Sequence, residues 1–253
     1  MDEQYVNLTN ENLEQNHLCC AIADAKHQQG VDLKKRWLTE RIAEGHVFRK
    51  LDARGKVFIE YAPLETAWVP IEGENYLYIY CFWVSGSNAR KGHGTALLNS
   101  CIKDAQERGK AGICVLSSKT KKPFLSDKAF LIRHGFAVVD RVGEGYELLA
   151  LSFDGSKPKF GINVKQMHID SPILTIYYSM QCPYIAACID EVQEFCKKEN
   201  IPLHLEKVDT LQKAKQVPCP FNNYVVFYNQ NFQTVQLLNE NSLKKLLSKQ
   251  GGL

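Results

Sequence analysis

The stretch Tyr76–Leu98, YLYIYCFWVSGSNARKGHGTALL, limits what this chain can fold into more than any other. The unbroken apolar run from Tyr76 to Val84 reads as a buried strand. It breaks at Ser85-Gly86-Ser87, and Lys91-Gly92-His93-Gly94-Thr95 then opens an amphipathic helix. A strand, a glycine-bearing turn and a helix N-terminus make an anion site. The first N–H groups of a helix have no internal partner, and its dipole favours negative charge there. Glycine lets a phosphate come close to that backbone. The segment therefore points to a phosphate-bearing cofactor.

Two common phosphate motifs do not fit. A dinucleotide fingerprint needs a third glycine, and Leu97 stands at that place; the residues from Gly86 to Lys91 do not give a P-loop. The segment resembles instead the acetyl-CoA loop of the GNAT superfamily of N-acetyltransferases. In that family a strand ending in Val is followed by a polar turn, R/Q-x-x-G-x-G/A and a helix. The match is ungapped from Val84 to Gly94, with Ala89 where the family has Arg or Gln. Arg90 and Lys91 are the neighbouring cations. The resemblance implies acetyl-CoA as co-substrate, held by Phe82, Trp83, Val84, Ala89, Arg90, Lys91, Gly92, His93, Gly94 and Thr95.

The elements around this loop follow the family order. Tyr5–Leu8 reads as a first strand, with helices expected over Gln15–Ala25 and Leu33–Glu44. A hairpin is expected from Gly45–Asp52 and Lys56–Tyr61, extended by Thr66–Ile71. After the loop come a helix from Gly94 to Arg108, a strand Ile113–Ser117 and a helix capped by Ser126-Asp127. A hairpin of Phe136–Val142 and Tyr146–Phe153 closes the unit. Family members commonly carry F-Y-x-x-x-G-F before that hairpin, and the Tyr is the usual general acid for the departing thiolate. Aligning Gly135-Phe136 puts Phe130 on the Phe and Leu131 at the Tyr position. A free thiol has a pKa of about 8.5, so the thiolate can also leave unprotonated.

The second half reads as a different unit. Residues 154–170 form a polar linker beginning Asp154-Gly-Ser-Lys-Pro. Strands are expected at Ile173–Ser179, Leu203–Val208, Tyr224–Tyr228 and Phe232–Leu237, and helices at Ile185–Glu199 and from Ser242. This half resembles a small thioredoxin-like domain, with Cys182-Pro183-Tyr184 echoing the glutaredoxin start and Ile185 at the resolving position. The expected fold is thus α/β (α+β). A GNAT acyl-CoA N-acyltransferase unit with a mixed sheet spans 1–153, and a thioredoxin-like unit spans 171–253. The whole chain resembles the YoaP-type acetyltransferases of bacteria.

Cys182 precedes a helix, where dipole and free N–H groups favour a thiolate. If Pro218 or Pro220 is the family's cis-proline, Cys219 lies near Cys182, and the two could pair or bind a metal. The alternative function is therefore an acyl-CoA-binding protein that senses thiol redox state or a metal through Cys182 and Cys219. Otherwise these cysteines are small buried hydrophobes, and no resident metal is expected.

Composition narrows the setting. The chain has 253 residues and a net charge of +3, too weak to argue for nucleic acid. No run approaches the length of a membrane span, and the Met1-Asp-Glu start lacks a secretory pattern. Nine cysteines, mostly within apolar segments, suit a reducing cytoplasm. Lys119, Lys121 and Lys122 are either solvated or placed to meet the phosphates of CoA.

The resemblance also implies a mechanism: a deprotonated amine attacks the thioester directly, with the strand's backbone polarising the carbonyl. Candidate bases are Glu60, Glu65 and Tyr78, although a phenol is a poor base at neutral pH. His93 is expected to pack or to point to solvent, and Phe82 and Trp83 are expected in the core. The acceptor is a small-molecule or peptide amine, with a homodimer left open.

Overall fold

The computed structural model describes residues 5–21, 25–122, 125–143 and 145–249. The N-terminal half begins β1 (Tyr5–Asn7), α1 (Gln28–Ile42), β2 (Val47–Leu51), β3 (Val57–Pro63), β4 (Ile71–Glu72) and β5 (Tyr76–Val84). It continues α2 (His93–Glu107), β6 (Gly112–Ser118), α3 (Lys128–Arg133), β7 (Ala137–Val142) and β8 (Tyr146–Ser152). Seven strands form one mixed sheet in the order β1-β2-β3-β5-β6-β8-β7, in which only the β5–β6 pair is parallel. The central strands β3 and β6 are buried almost throughout, as their apolar sequences require when both sheet faces are covered.

One face carries α2. Its Leu97, Leu98, Cys101 and Ala105 lie four-square on Ile59, Ile79, Ile113 and Val115. The opposite face carries α1 through Trp37 and Leu38, which pack with Phe48, Phe58, Tyr78 and Tyr80. The first expected helix, Gln15–Ala25, is replaced by short 3-10 turns at Cys19–Ala21 and Ala25–His27; residues 22–24 lie outside the described residues. The expected strand Thr66–Ile71 shrinks to β4, which leaves the main sheet to pair with β9 (Lys159–Phe160). Part of the linker is therefore a strand, with Ile71 opposite Phe160.

The C-terminal half runs β10 (Leu174–Tyr178), α4 (Ile185–Lys198), β11 (Leu203–Lys207), α5 (Leu211–Gln216), β12 (Tyr224–Tyr228), β13 (Asn231–Thr234) and α6 (Glu240–Lys249). Its sheet has the order β11-β10-β12-β13, with β10 parallel to β11 and antiparallel to β12. The sequence reading lacked α5, whose Thr210 hydroxyl caps the helix by accepting from Lys213 N at 3.1 Å. Ile185, Ile189, Val192 and Phe195 of α4 pack with Leu243 and Leu247 of α6 against one sheet face.

The other face of that sheet packs on the N-terminal half. Val225 and Phe227 of β12, with Val217, Cys219 and Phe221 ahead of it, belong to the same apolar core as Tyr78, Tyr80 and Trp37. One continuous core therefore joins the two halves. Polar clasps add to it: Lys215 Nζ donates to the carbonyls of Leu64 (2.8 Å) and Ile71 (3.3 Å). Burial holds the Lys215 ammonium down at about 8.

Candidate active site

β5 and β6 begin side by side and then part. Their pairing runs from Tyr76–Gly112 to Ile79–Val115 and stops, although β5 continues to Val84 and β6 to Ser118. A bulge in β5 accompanies the split. Glu60 of β3 pairs with Cys81 and Tyr61 with Ile79, so Tyr80 has no opposite residue. The bulge turns Tyr80 and Cys81 to the same face, towards α1, while Phe82 returns to the face of α2. An apolar run carries no alternation that would reveal this shift.

The gap between the strands opens into a cavity of about 740 Å³. Phe82, Trp83, Val84 and Gly94 line it from the loop side, and Phe130 from α3. Beyond Val84 the chain makes a 3-10 turn at Gly86–Asn88, passes Ala89 in extended conformation, and reaches Gly92 at φ +83°. A side chain at Gly92 would meet open space, so glycine is required there for its left-handed backbone. Arg90 also has positive φ, 64°, without being glycine. Gly92 caps α2 without any side-chain hydrogen bond, leaving the first N–H groups at His93, Gly94 and Thr95 directed outward. Arg90 and Lys91 are exposed beside them, and Lys121, Lys122 and Arg133 line the cavity.

The packing expectations divide. His93 is 8% exposed, and its Nδ1 is 2.7 Å from the Tyr5 hydroxyl, so it packs. Phe82 is half-buried against the core under α2. Trp83 is instead 37% exposed, with Lys56 Nζ 5.2 Å from its ring centre, because the strand has left its neighbour at that point. Leu131 is 1% exposed within the core, so position 131 presents nothing to the cavity; Phe130 and Arg133 are the α3 residues that line it.

The three candidate bases separate. Glu60 is fully buried, taking Lys34 Nζ on Oε2 at 2.7 Å and His46 Nε2 on Oε1 at 3.0 Å. Burial alone would raise its carboxyl, but the Lys34 ammonium and the His46 hydrogen bond reverse this and hold it at about 2. The Lys34 ammonium, opposed by burial, is raised above its usual range by the Glu60 carboxylate. Tyr78 lines the cavity, and its hydroxyl donates to Asn222 Oδ1 at 2.9 Å. Burial pushes its phenol well above the ordinary value, so it stays protonated. Glu65 is displaced from the cleft. It is exposed, accepts from Asn75 N at 2.6 Å and ion-pairs with Lys110, holding the turn that leads into β5.

Cys182 and Cys219 are both free thiols in different clusters: Cys219 is fully buried in the core shared by the halves, whereas Cys182 lines the cavity and packs at the edge of the α4 core. The cysteines that share the cavity with Cys182 are Cys20 and Cys81. Burial, followed by the neighbouring Cys20, pushes the Cys182 thiol up to about 12, so the helix start does not yield a thiolate. Among the described residues, no group of three or more His, Cys, Asp and Glu is placed to hold a metal ion. No helix among them is long and apolar enough to cross a membrane.

The sequence reading missed the inner wall, formed by Lys34 from α1 and by Gln181, Tyr184, Asn222 and Asn223 from the C-terminal half. The available signal was β12, whose YVVFY run is buried on both faces while α4 and α6 cover only one.

Comparison with known proteins identifies the family. A family model described as "Acetyltransferase (GNAT) family" matches residues 11–136, and one described as "YoaP-like" matches 202–245. The chain is 38% identical over 246 residues to a Bacillus subtilis (strain 168) protein described as the uncharacterized N-acetyltransferase YoaP, covering 96% of this chain and 98% of that one. Among solved structures, the PaiA N-acetyltransferase of Thermoplasma acidophilum with coenzyme A is 16% identical, with a TM-score of 0.42 over 60% of this chain and 100% of that one. A putative GNAT acetyltransferase from Desulfovibrio desulfuricans is 18% identical, with a TM-score of 0.41 over 58% of this chain and 97% of that one. On the strength of the near full-length relative, this chain belongs to the YoaP-like N-acetyltransferases of the GNAT family.

Proposed function

We propose that the chain transfers an acetyl group from acetyl-CoA to a primary amine by direct attack, in the gap between β5 and β6. The observation that carries this reading is the split of those strands beyond Ile79 and Val115, with the uncapped start of α2 at its mouth. In this reading the pantetheine arm lies along Phe82 to Val84, where β5 has free backbone groups. The N–H groups from Arg90 to Thr95, with Ala89 contributing only backbone, hold the pyrophosphate. Lys121, Lys122 and Arg133 complement the remaining phosphate charge. Rate comes chiefly from positioning and from backbone donors at the thioester carbonyl.

Neither Glu60, neutralised by Lys34, nor the protonated Tyr78 is poised as a base. The amine therefore loses its proton to water, and the thiolate leaves without a tyrosine acid at position 131.

We assign 1–153 to the acetyltransferase domain, 154–170 to a linker and 171–253 to a thioredoxin-like domain. Support for the last is the order β11-β10-β12-β13 with α4 between its parallel strands. The free thiols and the need for acetyl-CoA favour a cytoplasmic setting. Calorimetric titration with acetyl-CoA, followed by a thiol-release assay over a panel of amines, tests the function. No acetyl-CoA binding, or binding with no thiol released by any amine, would sink it.

A further inference from the structure

Gln181 joins the two halves at the inner end of the cavity. It is 2% exposed, and its Nε2 donates to Glu60 Oε2 at 3.0 Å. Its Oε1 accepts from Asn223 Nδ2 at 2.9 Å. Asn222 makes a second link: its Oδ1 takes the Tyr78 hydroxyl, and its Nδ2 donates to the Tyr80 carbonyl oxygen at 3.1 Å. These amides thus bond to the carboxylate beside the split and to Tyr78 and Tyr80 of its strand.

Holding the halves together does not require them, because Val225, Phe227 and Phe221 already bury an apolar face there. Polar groups concentrated where a cavity ends, amid apolar packing, are the usual mark of ligand orientation. Charge beside these amides is balanced: the Lys34 that lines the cavity and the Glu60 that Gln181 bonds neutralise each other at 2.7 Å. Such a wall suits an uncharged amine with donors and acceptors of its own. Asn223 spends one N–H on Gln181, which leaves its carbonyl oxygen to accept from a ligand N–H. A volume of about 740 Å³ lies within the range of small-molecule sites.

We propose that Gln181, Asn222 and Asn223 form the acceptor-recognition wall of the acetyltransferase site, and that the acceptor is a small amine bearing hydrogen-bonding groups rather than a protein N-terminus. This rests on the cavity being the acetyl-CoA site.

Asn223→Ala tests recognition: its KM for the best amino sugar, polyamine or amino-acid amide rises about tenfold, the worth of one hydrogen bond, while that for acetyl-CoA is unchanged. An unchanged amine KM, or faster acetylation of free peptide N-termini than of every small amine, overturns the assignment. Failure of acetyl-CoA to bind by calorimetry is a separate result, which removes the cofactor reading itself.

Discussion

Gly30 of α1 lies directly under the carbonyl of Pro183 at the start of α4. A Cβ added at Gly30 would sit 1.8 Å from that oxygen and 2.8 Å from its carbon. Backbone cannot yield as a flexible side chain would, so this glycine sets how closely the C-terminal half approaches the cavity. In an exposed helix interior, Gly→Ala gains about 1 kcal/mol. Here the sign reverses. Gly30→Ala is expected to lower stability by about 1–3 kcal/mol, the usual cost of overpacking, and to cut acetyl transfer because Gln181, Cys182 and Tyr184 are pushed back. Denaturant midpoints and thiol-release rates read the two effects, and a stabilised Gly30→Ala protein would refute the close approach.

The Lys34–Glu60 pair has a definite pH window. The Glu60 carboxyl is held down at about 2, so the stability it contributes is present above the unfolded pKa of about 4.3 and is lost as pH falls towards the folded value. The Lys34 ammonium is raised, so its contribution is complete below an unfolded value of about 10.4 and is lost only as pH rises through the higher folded one. Glu60→Gln leaves a buried ammonium uncompensated and should cost about 3–5 kcal/mol near neutral pH. The double variant Lys34→Met/Glu60→Gln should recover much of that. Chemical unfolding of all three from pH 3 to pH 9 checks this, and an undiminished Glu60→Gln protein would disprove it.

How far the sequence reveals this site depends on distance along the chain. The strand, turn and helix start from Tyr76 to Leu98 are legible because local chemistry dictates them: an apolar run, Gly92 and an uncapped helix. Glu60 is legible as a candidate base, but its partners Lys34, His46 and Gln181 are 26, 14 and 121 residues away, and no pattern ties them. The bulge at Tyr80 hides in a run without alternation. Cys182 misleads for a different reason: the helix dipole that would lower its pKa is local, whereas the burial that raises it comes from packing against the other half.

Gly92 separates fold from binding. Any L-residue there must adopt φ near +83°, which costs about 1–2 kcal/mol. Its side chain would stand in open space over the first N–H groups of α2. Gly92→Trp should therefore lose at least tenfold in acetyl-CoA affinity, about 1.4 kcal/mol or more, while remaining folded. Calorimetry and circular dichroism on one sample decide it, and unchanged affinity would exclude the loop as the pyrophosphate cradle.

None of the three candidate bases is poised to take a proton, which predicts a pH–rate profile set by the substrate. Glu60 is spent on Lys34 and His46, Glu65 holds a turn outside the cavity, and Tyr78 keeps its proton. An alkyl amine with a pKa of about 10 is mostly protonated at neutral pH, and only its free base attacks. The value of kcat/KM for the amine should then rise about tenfold per pH unit between roughly pH 6 and 9, parallel to the free-base fraction. Changing to an amine of lower pKa should move the whole curve down the pH scale by the same interval. A plateau that begins near pH 7 and stays put when the amine is changed would instead reveal a base belonging to the protein.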